Sequence, residues 1–189
     1  MIRADMQEIS THTFEPEAFW KIDKCYADGR VEEGEWQRNQ IQHDWATLAA
    51  ILFRSSRAGA AAPTSGLSFI AIGEGDVSWD LGAPSMPRTQ QTLESELWRQ
   101  AIDAGTQVYY IDPDDLVSVS LTPTRVIQIN FTVPFSVVGT IRELALFGGD
   151  ATSAADTGYM FNWYRIAAQP KTVDFSLSIR VQVRFKVTA

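Results

Sequence analysis

The chain is predicted to be mainly β: an antiparallel β-sandwich with an N-terminal arm and two helices. Three observations predict this. Beyond Gly105, apolar residues recur at every second position, the period of a half-buried strand. Turn-rich breaks such as Gly148-Gly149-Asp150 separate these runs with no alternating helices, which favours antiparallel over parallel pairing. Upstream, two stretches space their apolar residues three and four apart, as a helix does.

Residues 1–34 are polar, with aromatics but no sustained period, and read as an arm. From Glu35 to Arg54, Ile41, Trp45, Leu48 and Leu52 form one helical stripe. Glu32, Glu33 and Glu35 lie near its start and Arg54 at its end, where the helix dipole favours each sign. The small-residue run Ala58–Ser65 reads as a linker. Residues 66–72 form a strand closed by Gly73-Glu74-Gly75-Asp76. Thr92–Ala104 is predicted as the second helix, with Leu93, Leu97 and Ala101 in one row and Gly105 as its stop. Strands follow over 115–121, 124–135, 141–147 and 159–166. The last run, from Val173 to Val187, alternates without a break. At about 3.3 Å per residue it would extend about 50 Å, enough to cross two sheets or reach a neighbouring chain. This organisation divides the chain into an assembly or attachment segment, 1–57, and a β domain, 66–189.

Composition narrows the function. The chain has 189 residues and a net charge of −7, with no basic patch, so nucleic-acid binding is not expected. The one cysteine, Cys25, excludes an internal disulfide framework and a cysteine zinc site, and His12 and His43 are the only histidines. No apolar run approaches the roughly 18–20 residues of a membrane-spanning helix. Met1–Asp5 shows no apolar core of a signal peptide.

Each candidate chemical motif reads more simply as structure. Gly73-Glu74-Gly75 follows a strand but lacks the third glycine and immediate helix of a phosphate loop. Asp28-Gly29-Arg30-Val31 to Glu35 imitates the back half of a calcium loop. Lys24 and Tyr26, however, occupy the first ligand positions. Asp112-Pro113-Asp114-Asp115 has the residues of a weak cation site and equally those of a solvated turn. His43 lies off the helical stripe, Lys24 alone does not activate Cys25, and Glu94 and Glu96 would face apart on a helix. No catalytic, metal or cofactor residues are assigned, and no enzyme is expected. The aromatics Tyr109, Tyr110, Tyr159, Phe161, Trp163 and Tyr164 suit a sugar-stacking platform or ordinary sheet packing.

Several strings, taken in order, resemble tailed-bacteriophage virion proteins of the tail-fibre, baseplate and collar type. They are Ile70–Gly75 (IAIGEG), Leu93–Leu97 (LESEL), Ile141–Phe147 (IRELALF) and the long final strand. Asp28-Gly29-Arg30-Val31 followed by Glu35–Asn39 (EWQRN) resembles a turn-and-helix segment of the same proteins. The chain lacks a repetitive shaft, so the resemblance implies a compact adaptor or hub. It implies a non-enzymatic structural part joining or anchoring tail, baseplate or fibre elements in the virion, made in the host cytoplasm. The expected partners are copies of itself, with a trimer favoured, and other virion proteins. A host-surface glycan-binding module is the alternative. Surplus aromatics fit such interfaces, and the candidates are Phe14, Phe19, Trp20, Tyr26, Trp36, Trp45, Tyr159 and Trp163.

Overall fold

The structure is a computed structural model describing residues 13–55, 66–82 and 87–188. Its organising element is the final strand, β11 (Phe175–Thr188), where the strict alternation buries Phe175, Leu177, Ile179, Val181 and Val183. One flank of β11 is covered by β1 (Thr13–Tyr26), in unbroken antiparallel register from Thr13↔Thr188 to Tyr26↔Phe175. The other flank pairs with β8 (Val126–Val133). Outward from β8 come β6 (Val108–Ile111) and the two-residue β7 (Val119–Ser120). A short β2 (Val31–Glu32) returns along the end of β1.

The other half is built on β9 (Gly139–Gly148), paired with β4 (Leu67–Gly73) on one side and β10 (Tyr159–Lys171) on the other. At its outer edge is β5 (Glu96–Ala101), beside β4. The halves are joined by β3 (Gln37–Ile41), which pairs with β1 through Gln37–Asn39 and then with β10 through Gln40–Ile41. The result is one eleven-stranded antiparallel sheet that does not close, with β5 and β7 as its ends. Residues from both halves nevertheless share one buried cluster. Ile70, Ile72, Ile141, Leu144 and Leu146 meet Trp20, Ile129, Phe131, Ile179 and Val181 there.

Besides β3, the chain passes between halves through 102–107 and through two further links, 134–138 and 172–174. Buried Lys171 ties them: its Nζ donates to Val137 O at 3.0 Å, Phe135 O at 3.5 Å and Thr172 O at 2.7 Å. Burial pushes its pKa down from the usual lysine value. A second polar knot sits where β3 changes partners. With its amide oriented to satisfy both atoms, Asn39 donates to Ala18 O at 2.8 Å and accepts from Asn162 Nδ2 and Trp20 Nε1. Asn162 Oδ1 in turn accepts Leu146 N at 2.9 Å. This pins β1, β3, β10 and β9 in register.

Mainly β and antiparallel describes what is observed, but three expectations need correction. Residues 13–26 are not an arm: they form β1, deep in the sheet order, with Ala18 and Trp20 buried. The described part of segment 1–57 therefore shares its sheet with segment 66–189. The helix expected over 35–54 exists only as α1 (Asp44–Ser55), which packs Leu48 inward; its expected first part is β3. Thr92–Ala104 is not a helix. It forms a bent segment, 92–95, and β5, followed by one helical turn, α2 (Ala104–Gln107), capped by Asp103 Oδ1 on Gly105 N at 2.9 Å. The free side of β4 needs hydrogen-bond partners, and that demand outweighs the helical propensity of Leu, Glu and Gln. The expected linker 58–65 and His12 lie outside the described residues.

Candidate functional site

Three of the strings that carry the sequence resemblance, far apart in the chain, meet on the outer face of β4, β9 and β10. Gly73 of β4 sits opposite both Glu143 of β9 and Glu96 of β5. A Cβ at Gly73 would lie 2.5 Å from Glu143 Oε1 and 2.6 Å from Ser95 O, so only glycine fits. The fully buried Glu143 carboxylate accepts Ser95 N at 3.0 Å, Glu94 N at 3.2 Å and Trp163 Nε1 at 2.9 Å. Burial raises its pKa above the usual glutamate value, and these donors oppose the rise.

Its neighbour Arg142 forms a two-pronged bond to Asp80, at 2.9 and 2.7 Å, and donates to Glu74 O at 3.0 Å. That pairing holds the Asp80 carboxyl below its usual range and lifts the guanidinium. Glu74 Oε1 accepts Thr140 N at 3.1 Å. On β5, Arg99 and Glu96 form a second two-pronged pair, both contacts 2.8 Å, with side chains only 2% and 6% exposed. Arg99 also donates to Thr157 O at 3.0 Å and lies 4.3 Å from the Phe147 ring centre. Together these charges fasten segments 74–82, 93–99 and 149–158 over an apolar layer of Ala71, Leu93, Ala145, Phe147, Met160 and Trp163. Both Glu143 oxygens are occupied by donors of the chain itself. The arrangement is a clasp that holds the 93–95 backbone and Trp163 on β9.

The remaining sequence candidates resolve into turns. Gly75, at φ +59°, leads into a 3₁₀ turn, Val77–Asp80, capped by Asp76 Oδ1 on Ser78 N at 2.7 Å. Gly29, at φ +87°, turns the chain between β1 and β2, with Arg30 N donating to Asp28 Oδ1 at 2.9 Å. Asp112 Oδ1 accepts Asp114 N at 2.9 Å. Asp115 accepts Val117 N at 2.8 Å, Ser118 N at 2.9 Å and Ser118 Oγ at 2.5 Å. Among the described residues, no group of three or more His, Cys, Asp or Glu side chains is placed to hold a metal ion. Cys25 is half-buried in β1, and His43 is exposed in the turn before α1.

Most of the eight aromatics assigned to interfaces are used inside the chain. Trp20 is fully buried and stacked on Tyr164 at 6.2 Å; Trp163 is 3% exposed and edge-on to Trp79 at 5.9 Å. Both are covered by side chains of the same chain. Tyr26 is half-buried between Phe175 and the Arg30 guanidinium, and Phe19 lies under Arg184 at 4.0 Å. Trp45 and Tyr159 are half-buried, Trp36 is exposed, and the Phe14 side chain lies outside the described residues.

The surface that sequence reasoning missed is the β6–β7 edge. Val117, Val119 and Leu121, exposed by 80%, 59% and 100%, cluster at the end of the open sheet, Val119 in the two-residue β7 and the other two in the bends on either side of it, beside exposed Tyr110. Leu116 holds a left-handed φ of +61° just before this row. Such a conformation costs a non-glycine residue about 1–2 kcal/mol. The Asp115 bonds and Gln182 Nε2 on Leu116 O, at 2.9 Å, stabilise it. The alternation at 117, 119 and 121 predicts a strand over 115–121, of which only Val119–Ser120 pairs, and alternation by itself does not say whether the apolar side is covered. Comparison with models of protein families and with curated proteins finds no match to this chain.

Proposed function

We propose that this chain is a non-enzymatic structural component of a bacteriophage particle, joining or anchoring tail, baseplate or fibre parts as a symmetric oligomer. In this reading the two sheet halves are the layers of a sandwich, and the open β7 edge is the joining surface. The observation that carries it is the exposed apolar row Val117, Val119 and Leu121 at that edge. An apolar edge left in water is a pairing template that natural sheets otherwise blunt with charge or cover. Burying each of these side chains against a neighbour is worth about 1.5–3 kcal/mol. An edge that docks on a different patch of the next copy makes a head-to-tail contact, which forms a ring where the rotation closes; the reading takes that ring to be three-fold.

Mass photometry tests this directly. The wild-type chain is expected as a trimer, and the double variant V119K/L121K as a folded monomer. A wild-type chain that stays monomeric at micromolar concentration sinks the assembly reading. Mass spectrometry of purified particles checks the location: the chain should be a stoichiometric component. A second reading, a module binding host-surface glycans, is favoured by a separate cleft beside β3 that carries Trp45 and Tyr164 together with arginines.

A further inference from the structure

Where β3 passes from β1 to β10, each neighbour runs on without it. Pro16–Glu17 of β1 and Tyr164–Arg165 of β10 have no β3 partner. Between them opens a cleft of about 610 Å³, within the range of about 300–1,000 Å³ usual for small-molecule sites. Three arginines converge on it from separate parts of the chain: Arg38 from β3, Arg88 from the segment before β5, and Arg165 from β10. His43 also lines it. Glu17 is the one acid of the lining, and it is already neutralised by Arg38 at 3.0 Å and by Lys186 at 2.6 Å, the latter an ion pair without hydrogen-bond alignment. A chain of net charge −7 thus gathers positive charge at one concave place.

We propose that this cleft binds an acidic saccharide, with the arginines holding its carboxylate and the aromatic rings its sugar faces. The proposal rests on the glycan reading and adds the charge of the ligand. Arg88 is the residue best placed to specify that charge. Its guanidinium is exposed and has no hydrogen-bond or ion-pair partner among the described residues, while its backbone is pinned. His43 N donates to Arg88 O at 2.9 Å, and the Gln42 amide, oriented to satisfy both atoms, donates to the same oxygen at 2.7 Å. A guanidinium on a fixed backbone presents a planar fork that matches a carboxylate. Tyr164 lines the same cleft with its ring plane fixed by the stack on Trp20. Trp45 lines it from the first turn of α1. Rings of this kind offer apolar faces to the C–H side of a sugar. Gln40, whose amide has no partner among the described residues, can bond hydroxyl groups. A bare inorganic anion would leave the rings and this amide unused.

Isothermal titration of the full-length chain with trigalacturonate and sialyllactose, against neutral maltotriose and the acidic peptide triglutamate, tests the proposal. At least one acidic saccharide is expected to bind about tenfold more tightly than either control, a single charge-assisted contact being worth that much. Its affinity should fall as ionic strength rises. R88A should weaken it about tenfold and R88K should restore part of the loss, with oligomeric state unchanged in both. Equal or tighter binding of maltotriose overturns the charge assignment and leaves the glycan reading standing. Equal binding of triglutamate, or no binding of any of the three saccharides, overturns both. Unchanged affinity in R88A overturns the placement of the site.

Discussion

The outer face of β4–β9–β10 and the edge at β6–β7 invert the usual distribution of side chains in opposite ways. On the first, charged groups are inside: Glu143, Arg142 and the Glu96–Arg99 pair are buried or nearly so. At the second, apolar groups are outside: Val117, Val119 and Leu121 face water. The first is complete in itself, since every charge there meets donors or acceptors from the same chain. Among the described residues, nothing covers the second. Buried charge with all its partners marks a surface finished within the fold, and in the function proposed above the exposed apolar surface at the sheet edge is the one left for a neighbour.

Substitutions can break that contrast. The largest effect is expected from R99A. It strands Glu96 and releases Thr157, which should cost about 3–5 kcal/mol and lower Tm by about 2–4 °C for each kcal/mol. Thermal unfolding reads the loss, and hydrogen exchange should rise across 149–158. E143Q comes next, at about 1–3 kcal/mol, because both glutamate oxygens accept and the new amide nitrogen must face a donor. It should also change the pH dependence. Glu143 has a raised pKa in the folded state, so its contribution to stability is fullest below the ordinary glutamate value and is lost as pH rises through the raised one. The wild-type minus E143Q stability difference should therefore shrink across that window in denaturant titrations.

At the edge the expectation reverses. V119K/L121K should change monomer stability by no more than about 0.5 kcal/mol per site while abolishing self-association. A large drop in unfolding stability would show that the row belongs to the core after all. The smallest effect concerns Asp115, whose carboxyl is held below its usual range by the Ser118 hydroxyl and the Val117 and Ser118 amides. Its contribution is complete above the ordinary aspartate value and lost as pH falls through the depressed one. Amide exchange at Val117 and Ser118 should accelerate on acidification in the wild type and be insensitive to pH over that range in D115N, once corrected for intrinsic exchange.

Much of the fold is legible wherever alternation is long. The Val173–Val187 pattern marks β11, and 124–135, 141–147 and 159–166 mark β8, β9 and β10 to within a few residues at most ends. β1 carries the same signal in Phe14, Ala18, Trp20, Ile22 and Tyr26, but Pro16 and Lys24 interrupt it. Pro16 is tolerated inside the sheet and Lys24 reaches out to Glu32, so the break in pattern is no break in structure. The Glu143 clasp was half legible: its three strings stood out in order, but nothing in them says that Glu143 would accept the backbone of Glu94 and Ser95. The arginine cleft was not legible at all, because Arg38, Arg88 and Arg165 are isolated cations in the sequence.

What the sequence by itself determined is therefore local: which segments alternate, where glycine and proline turn the chain, and which classes of site its few histidines and lone cysteine exclude. Those properties follow from each residue and its near neighbours, since side-chain direction in a strand depends only on position along it. Only the tertiary structure decided that 13–26 would pair with 175–188, that 96–101 would be a strand against its helical spacing, and which apolar faces would stay uncovered. Each of those outcomes depends on a partner far along the chain. Strand pairing satisfies the backbone of two segments at once, and burial is a property of the pair, not of either segment alone.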